Sequence, residues 1–263
     1  MIATRSGKVS HKRRMVFALA ILLTAMGCHA MPSTSTQDTH DMSNTSISSD
    51  TLSARQQAII PIAAFAAAGH LDALKKALND GLDAGLTVSD AREILVQTYA
   101  YAGFPRSLNA LGQLMKVLEA RKQRGIEDAP GRAPSHPIPT GEALLAAGTA
   151  NQTRLSGGPV KGPLFDFAPA IDQYLKTHLF GDIFERDNVD WKDREIATVA
   201  MLSALPGVEP QVQAHMRISM NVGLSKGQLQ QLSQVLADRV TPDAGQRARQ
   251  ALEQQLDSQQ DAG

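Results

Sequence analysis

Glu93, Gln97 and Tyr101 stand four residues apart in a segment with helical spacing, so they share one helix face. A carboxylate, an amide and a phenol in line can position a substrate and move a proton. Phe104 and Arg106 follow within the Gly103-Phe104-Pro105-Arg106 turn, and Arg106 is suited to pairing with a carboxylate. Together with His215, these are the residues whose types allow acid–base or binding chemistry. Each also has a plainer reading. Glu93 suits the positive end of a helix, Tyr101 and Phe104 suit a core, and Arg106 suits a solvated surface. His215 fits an amphipathic helix as a structural histidine. His70 and His178 lack a second histidine at metal-binding spacing, and no phosphate-loop pattern is present, so neither a metal nor a cofactor is expected. Cys28 is the only cysteine, which excludes an internal disulfide, a CxxC redox pair and a cysteine-based zinc site.

The elements that must position these residues read as helices. Ser53, Thr87 and Ser225 are placed as N-caps, and Gly69, Gly85 and Gly223 as stops. Helices are expected through Ile59–Phe65, Leu71–Asp83, Ala91–Thr98 and Leu108–Val117. After a Pro/Gly-rich connection with one short helix near Glu142–Ala147, they return at about Phe165–His178, Trp191–Leu205, Val212–Val222 and Ser225–Asp238, and from Pro242. Strand signals are nearly absent, so the fold class is all-α. The two halves superpose at an offset of 138. Gly69 meets Gly207, and Ala84-Gly85-Leu86-Thr87 meets Val222-Gly223-Leu224-Ser225. The first helix aligns better at 137, which places a one-residue insertion near Pro206. This is a tandem duplication.

The N-terminus reads as an address. Arg5, Lys8, Lys12, Arg13 and Arg14 precede an apolar run, Met15–Gly27, that is too short for a comfortable span and right for a signal peptide. Ala25 and Gly27 lead into Cys28 as in a bacterial lipobox. Ordinary cleavage after Ala30, or an uncleaved anchor, are the alternatives. An exported protein of the cell envelope is expected, lipidated at Cys28 or released to the periplasm, with the membrane touched only through the N-terminal lipid. Residues 31–51, rich in Ser, Thr, Asp and Asn, read as a flexible tether. The organisation is therefore 1–30 signal, 31–51 tether, 52–125 first domain, 126–161 linker and 162–258 second domain.

In its 263 residues the chain balances 26 bases against 26 acids. The five bases before Gly27 leave 21 against 26 in the remainder, a mildly acidic protein that argues against nucleic acid as a partner. Hydrophobic residues at 43% are enough for a sizeable core.

Residues 53–120 and 164–255 resemble two copies of the carboxymuconolactone decarboxylase domain, whose superfamily includes the alkyl hydroperoxidase D-like proteins. The marks are the Gly-[Leu/Val]-Thr helix start, the acidic residue six positions on, and Tyr101-Ala-Gly-Phe-Pro105. The resemblance implies a helical bundle that self-associates, as a trimer for a tandem chain. It also implies one of two chemistries. One branch decarboxylates a γ-lactone carboxylate. The other has peroxiredoxin-type activity through CxxC, a glutamate and a histidine. Counting from Glu93, the second branch's cysteine and histidine positions fall on Pro105, Leu108 and Gly112. In the second copy, Gln231 takes the glutamate's place and Asp243 and Gln246 the cysteines'. Peroxide reduction needs a thiolate, so this branch is disfavoured. The resemblance puts a family histidine at His215, whereas copy one has Ala77 there. Copy one thus keeps Glu93 and copy two keeps His215, as a composite or a decayed site. Arg194-Glu195 matches a recurrent family pair and is expected to form a structural salt bridge. The leading expectation is an exported lyase on a small carboxylated lactone or related acid, with Glu93 and His215 catalytic and Gln97, Tyr101, Phe104 and Arg106 binding substrate. A non-catalytic envelope scaffold is the further alternative.

Overall fold

Two helices have no polar face to spare, and they set the architecture. After its first turn α1 (Ala54–Ala68) runs Ala-Ile-Ile-Pro-Ile-Ala-Ala-Phe-Ala-Ala-Ala, and α8 (Trp191–Ser203) is buried from Asp193 onward. Helices buried on every side belong in the middle of a bundle, and the polar residues of α8 there must find partners. In the computed structural model, which describes residues 50–260, α1 and α8 pack against each other at the centre. Small residues at Ala63, Ala64, Ala66, Ala197 and Ala200 are all fully buried, which suits close approach of the helices. Around them stand α2 (Leu71–Asp83), α3 (Val88–Ala102) and α4 (Phe104–Gln123) from the first repeat. Their counterparts are α9 (Glu209–Asn221), α10 (Lys226–Arg239) and α11 (Pro242–Gln260). No strand occurs among the described residues.

The duplication is legible in the caps. Ser53 and Asp190, 137 apart, cap α1 and α8. Thr87 and Ser225, 138 apart, each complete a capping box, with Asp90 and Gln228. Gly69 and Gly207 both take a left-handed backbone, at φ 75° and 84°. Gly69 is needed twice over, because the Arg106 guanidinium lies where a Cβ would stand. The repeats share one core rather than building two. Ile59, Leu78 and Ile94 from the first join Ile196, Met216 and Leu232 from the second in a single cluster.

The connection between repeats holds more structure than its Pro/Gly content suggests. The short helix expected near Glu142–Ala147 extends over α5 (Gly141–Ser156). The helix expected over about Phe165–His178 is divided. Pro169 excludes helical backbone at Ala168 (φ −128°, ψ 70°), which separates α6 (Pro163–Phe167) from α7 (Pro169–Tyr174). A π-helical segment, Leu175–Ile183, continues from there. α5 packs on this segment. Gly148 makes the approach possible, since a Cβ there would lie 1.7 Å from the Lys176 carbonyl oxygen and 2.9 Å from the Gly181 amide nitrogen. Those two groups are five residues apart, the interval of π hydrogen bonding. Their meeting forms a second apolar cluster of Leu155, Leu179, Phe180, Ile183, Phe184 and Ile218. Gly148→Ala is expected to destabilise the fold by about 1–3 kcal/mol despite alanine's better helix propensity. Urea unfolding followed by circular dichroism measures it, and unchanged stability would show that the helices can separate at little cost.

Candidate functional site

The capping box at Thr87 fixes where α3 begins, and therefore which way Glu93, Gln97 and Tyr101 point. They face α8. Glu93, 1% exposed, is gripped by Arg186 through two parallel bonds, Nε to Oε2 at 2.7 Å and Nη2 to Oε1 at 2.6 Å. Arg194 adds a second positive charge, with its Nη2 at 3.6 Å from Oε2. Burial alone would raise the Glu93 pKa. The hydrogen bonds and charge of Arg186, with help from Asn188 and Arg194, outweigh it and hold the carboxyl below its ordinary 4.5.

Arg194 is also 1% exposed. Burial, with the nearby charge of Arg186, brings its pKa down to about 10, against the pull of Glu93. Its Nη1 donates to Gln97 Oε1 at 3.1 Å and its Nη2 to the Arg186 carbonyl at 2.7 Å. The Gln97 amide in turn donates to Thr198 Oγ1 at 2.7 Å and to the Arg194 carbonyl at 3.1 Å. Gln97 therefore ties α3 to α8 on both sides of its amide.

One residue further along α8 the polarity changes. Glu195 is wholly buried and its Oε2 lies 2.8 Å from His215 Nδ1 on α9. The Tyr101 ring meets the His215 ring edge-on, with centroids 5.7 Å apart and planes at 82°. Tyr101 Oη and Glu195 Oε1 are buried without a hydrogen bond of normal geometry among the described residues. Burial pushes the Tyr101 pKa far above the usual range, and the Glu195 charge adds to this. Thr198 and Arg194 pull it partly back. The expected Arg194-Glu195 salt bridge does not form. Neighbours on a helix point about 100° apart, and each finds a partner on another element.

In the polar seam between α3, α8 and α9, Tyr101 from the first repeat thus meets His215 from the second, whereas Glu93 meets Arg186 and Arg194. Phe104 and Arg106 lie outside it. Phe104 is exposed and stacks on Tyr99 with centroids 4.6 Å apart, and Arg106 lies over Gly69. Cys28, the signal segment and residues 31–49 of the tether fall outside the described residues. Among those described, no three His, Cys, Asp or Glu side chains are grouped to hold a metal.

Sequence reasoning did not find Arg186, Thr198 or the tie between Glu195 and His215. Arg186 is 93 residues from Glu93 and sits in the loop after the π segment, where no local pattern marks it. Glu195 had a signal of sorts, since it leads directly into the apolar run 196–202, where a carboxylate needs a partner.

Chemically, the seam divides in two. Glu93, Arg186, Arg194 and Gln97 form a buried ionic and hydrogen-bonded network that holds α3, α8 and the Arg186 loop in register. His215 and Glu195 form an acid–base pair. The carboxyl group orients the ring through Nδ1, which leaves Nε2 as the nitrogen that can give or take a proton.

A search of curated proteins found no match to the chain. A family model, described as the carboxymuconolactone decarboxylase family, matches residues 34–115 and 169–255. The two matched stretches correspond to the two repeats and include every residue of the seam. The chain is a tandem-repeat, all-helical member of the carboxymuconolactone decarboxylase family.

Proposed function

We propose that the protein is an exported lyase that decarboxylates a small carboxylated lactone or related acid without a cofactor, with His215 as its proton donor. The observation that carries this reading is the buried His215–Glu195 pair beside Tyr101. In such a reaction the bond from carbon to carboxylate breaks, and its electron pair passes into a conjugated carbonyl of the substrate. The imidazolium Nε2 then returns a proton to that carbon. Glu195 keeps the imidazole oriented through Nδ1. Tyr101, high in pKa and therefore protonated, can donate a hydrogen bond to the enolate oxygen as charge develops. Glu93 is occupied on both oxygens by arginine and serves as a positioning residue. The other family chemistry needs a thiolate that no residue beyond Cys28 can supply.

The test is carbon dioxide release by the purified protein from a panel of carboxylated lactones and 3-oxo acids, with 2-oxo acids, which lack a conjugated carbonyl to take the electron pair, expected not to react. Release by the wild type that is lost in His215→Ala supports the reading. Binding without turnover is the second reading, favoured by the saturation of Glu93 by Arg186 and Arg194. It predicts that panel members bind and none reacts.

Export rests on the basic N-terminus, the apolar run and Cys28. In cells grown with labelled palmitate, the wild type is expected to carry label and Cys28→Ser to carry none. Unlabelled wild type would contradict lipidation. The trimer implied by self-association in this family would appear as a single species of three chains in sedimentation velocity.

A further inference from the structure

The repeat equivalence gives every residue of the acid–base pair a counterpart on the other side of the bundle. At the α1/α8 offset of 137, Glu195 corresponds to Ala58 and Thr198 to Pro61. At 138, His215 corresponds to Ala77 and Tyr101 to Arg239. The two places are covered differently. On the His215 side, Ile218, Val222 and Trp191 pack with Leu155, Phe180 and Phe184 from α5 and the segment after it. Their counterparts in the first repeat are Asp80, Ala84 and Ala54, all smaller or polar. There a groove of about 610 Å³ lies between α1, α2 and the end of α10, within the range of small-molecule sites.

The chemistry of this groove is that of a binding site without a proton donor. Its floor is Ala58, Pro61, Phe65 and Ala77, where the other side has a carboxylate and an imidazole at two of these positions. Two cations, Lys76 and Arg239, border it against one acid, Asp80. Lys76 is held by Asp80 at 2.6 Å in an exposed pair, which is weak enough to exchange. Arg239 makes no ion pair among the described residues. An apolar floor under an excess of positive charge selects a molecule with one anionic end and a hydrocarbon body.

We infer that this groove binds a small amphipathic monocarboxylate, its carboxylate on Arg239 and Lys76 and its alkyl or aryl body on Ala58, Pro61, Phe65 and Ala77. The inference does not rest on the lyase reading, since no residue of the His215 side takes part. The duplication has left one site that carries the acid–base pair and one stripped site that can hold an acid without it.

Octanoate is the probe, titrated calorimetrically into the full-length protein. One equivalent is expected to bind per chain. Arg239→Gln is expected to weaken it about tenfold, the loss of one charge-assisted hydrogen bond. Ala73→Phe, which places a ring in the partly exposed wall of the groove, is expected to abolish binding. 1-Octanol, with the same body and no charge, is expected to bind at least tenfold more weakly than octanoate. His215→Ala is expected to leave octanoate binding unchanged, which separates this site from the acid–base pair. Absence of octanoate binding at millimolar concentration would overturn the inference. So would binding indifferent to both Arg239→Gln and Ala73→Phe, octanol binding as well as octanoate, or binding lost in His215→Ala.

Discussion

Replacing Glu93 with alanine is expected to destabilise the fold by about 3–5 kcal/mol, because it strands Arg194 as a charge buried without its partner. Arg186 is partly exposed and can turn to water, whereas Arg194 is 1% exposed and cannot. Urea unfolding at neutral pH measures the loss. Its pH dependence has a definite sign. The Glu93 pKa is held below 4.5 in the folded state, so its ionised form stabilises the fold. That contribution is complete above the ordinary value of 4.5 and disappears as pH falls through the lower folded value. The gap in stability between wild type and Glu93→Gln should therefore be constant at neutral pH and close only in acid. The difference isolates Glu93, since Asp193, whose pKa burial raises, is present in both proteins. A gap that instead widened in acid would place the Glu93 pKa above its ordinary value and overturn the ion-pair account.

Under the proposed lyase reading, Glu195→Gln is expected to lower the rate of decarboxylation by about 10²–10⁴-fold, the range of a positioned acid–base group. Glutamine preserves shape and can still bond Nδ1, but it removes the carboxyl group beside the ring that is proposed to transfer the proton. The expected pattern is a fall in kcat with KM little changed, because the carboxyl group acts on the proton transfer rather than on substrate docking. Glu195 has no other hydrogen-bond partner among the described residues, so its loss should leave the ionic network of Glu93 intact. A matched fall in thermal stability and activity would instead assign Glu195 a structural role.

Much of the fold was legible because its signals are local. Caps at Ser53, Thr87 and Ser225 depend on a side chain and the three residues after it, and the structure uses all three. Gly69 and Gly207 were legible for the same reason. The alignment of Glu93, Gln97 and Tyr101 follows from helical geometry and holds in the structure. What could not be read depends on distant packing. The π segment exists where α5 presses Gly148 against Lys176 and Gly181, and nothing in the string Leu175–Ile183 alone announces it. Arg106 followed a promising turn, yet its position was decided by Gly69, 37 residues away in sequence. Arg194 and Glu195 were adjacent and opposite in charge, which invites pairing on paper. On a helix that adjacency separates them, and their partners came from α3, the Arg186 loop and α9.

Proton transfer by the His215–Glu195 pair is the step on which the proposed reaction depends. Reaction in deuterium oxide tests it most directly: the protein is incubated with the carboxylated lactone panel, and both released carbon dioxide and deuterium at the product carbon are measured. The wild type should release carbon dioxide and deliver deuterium to one face of that carbon, and His215→Ala should do neither while remaining folded. Release that persists undiminished in His215→Ala, or product deuterated equally on both faces, would contradict a proton delivered by this histidine.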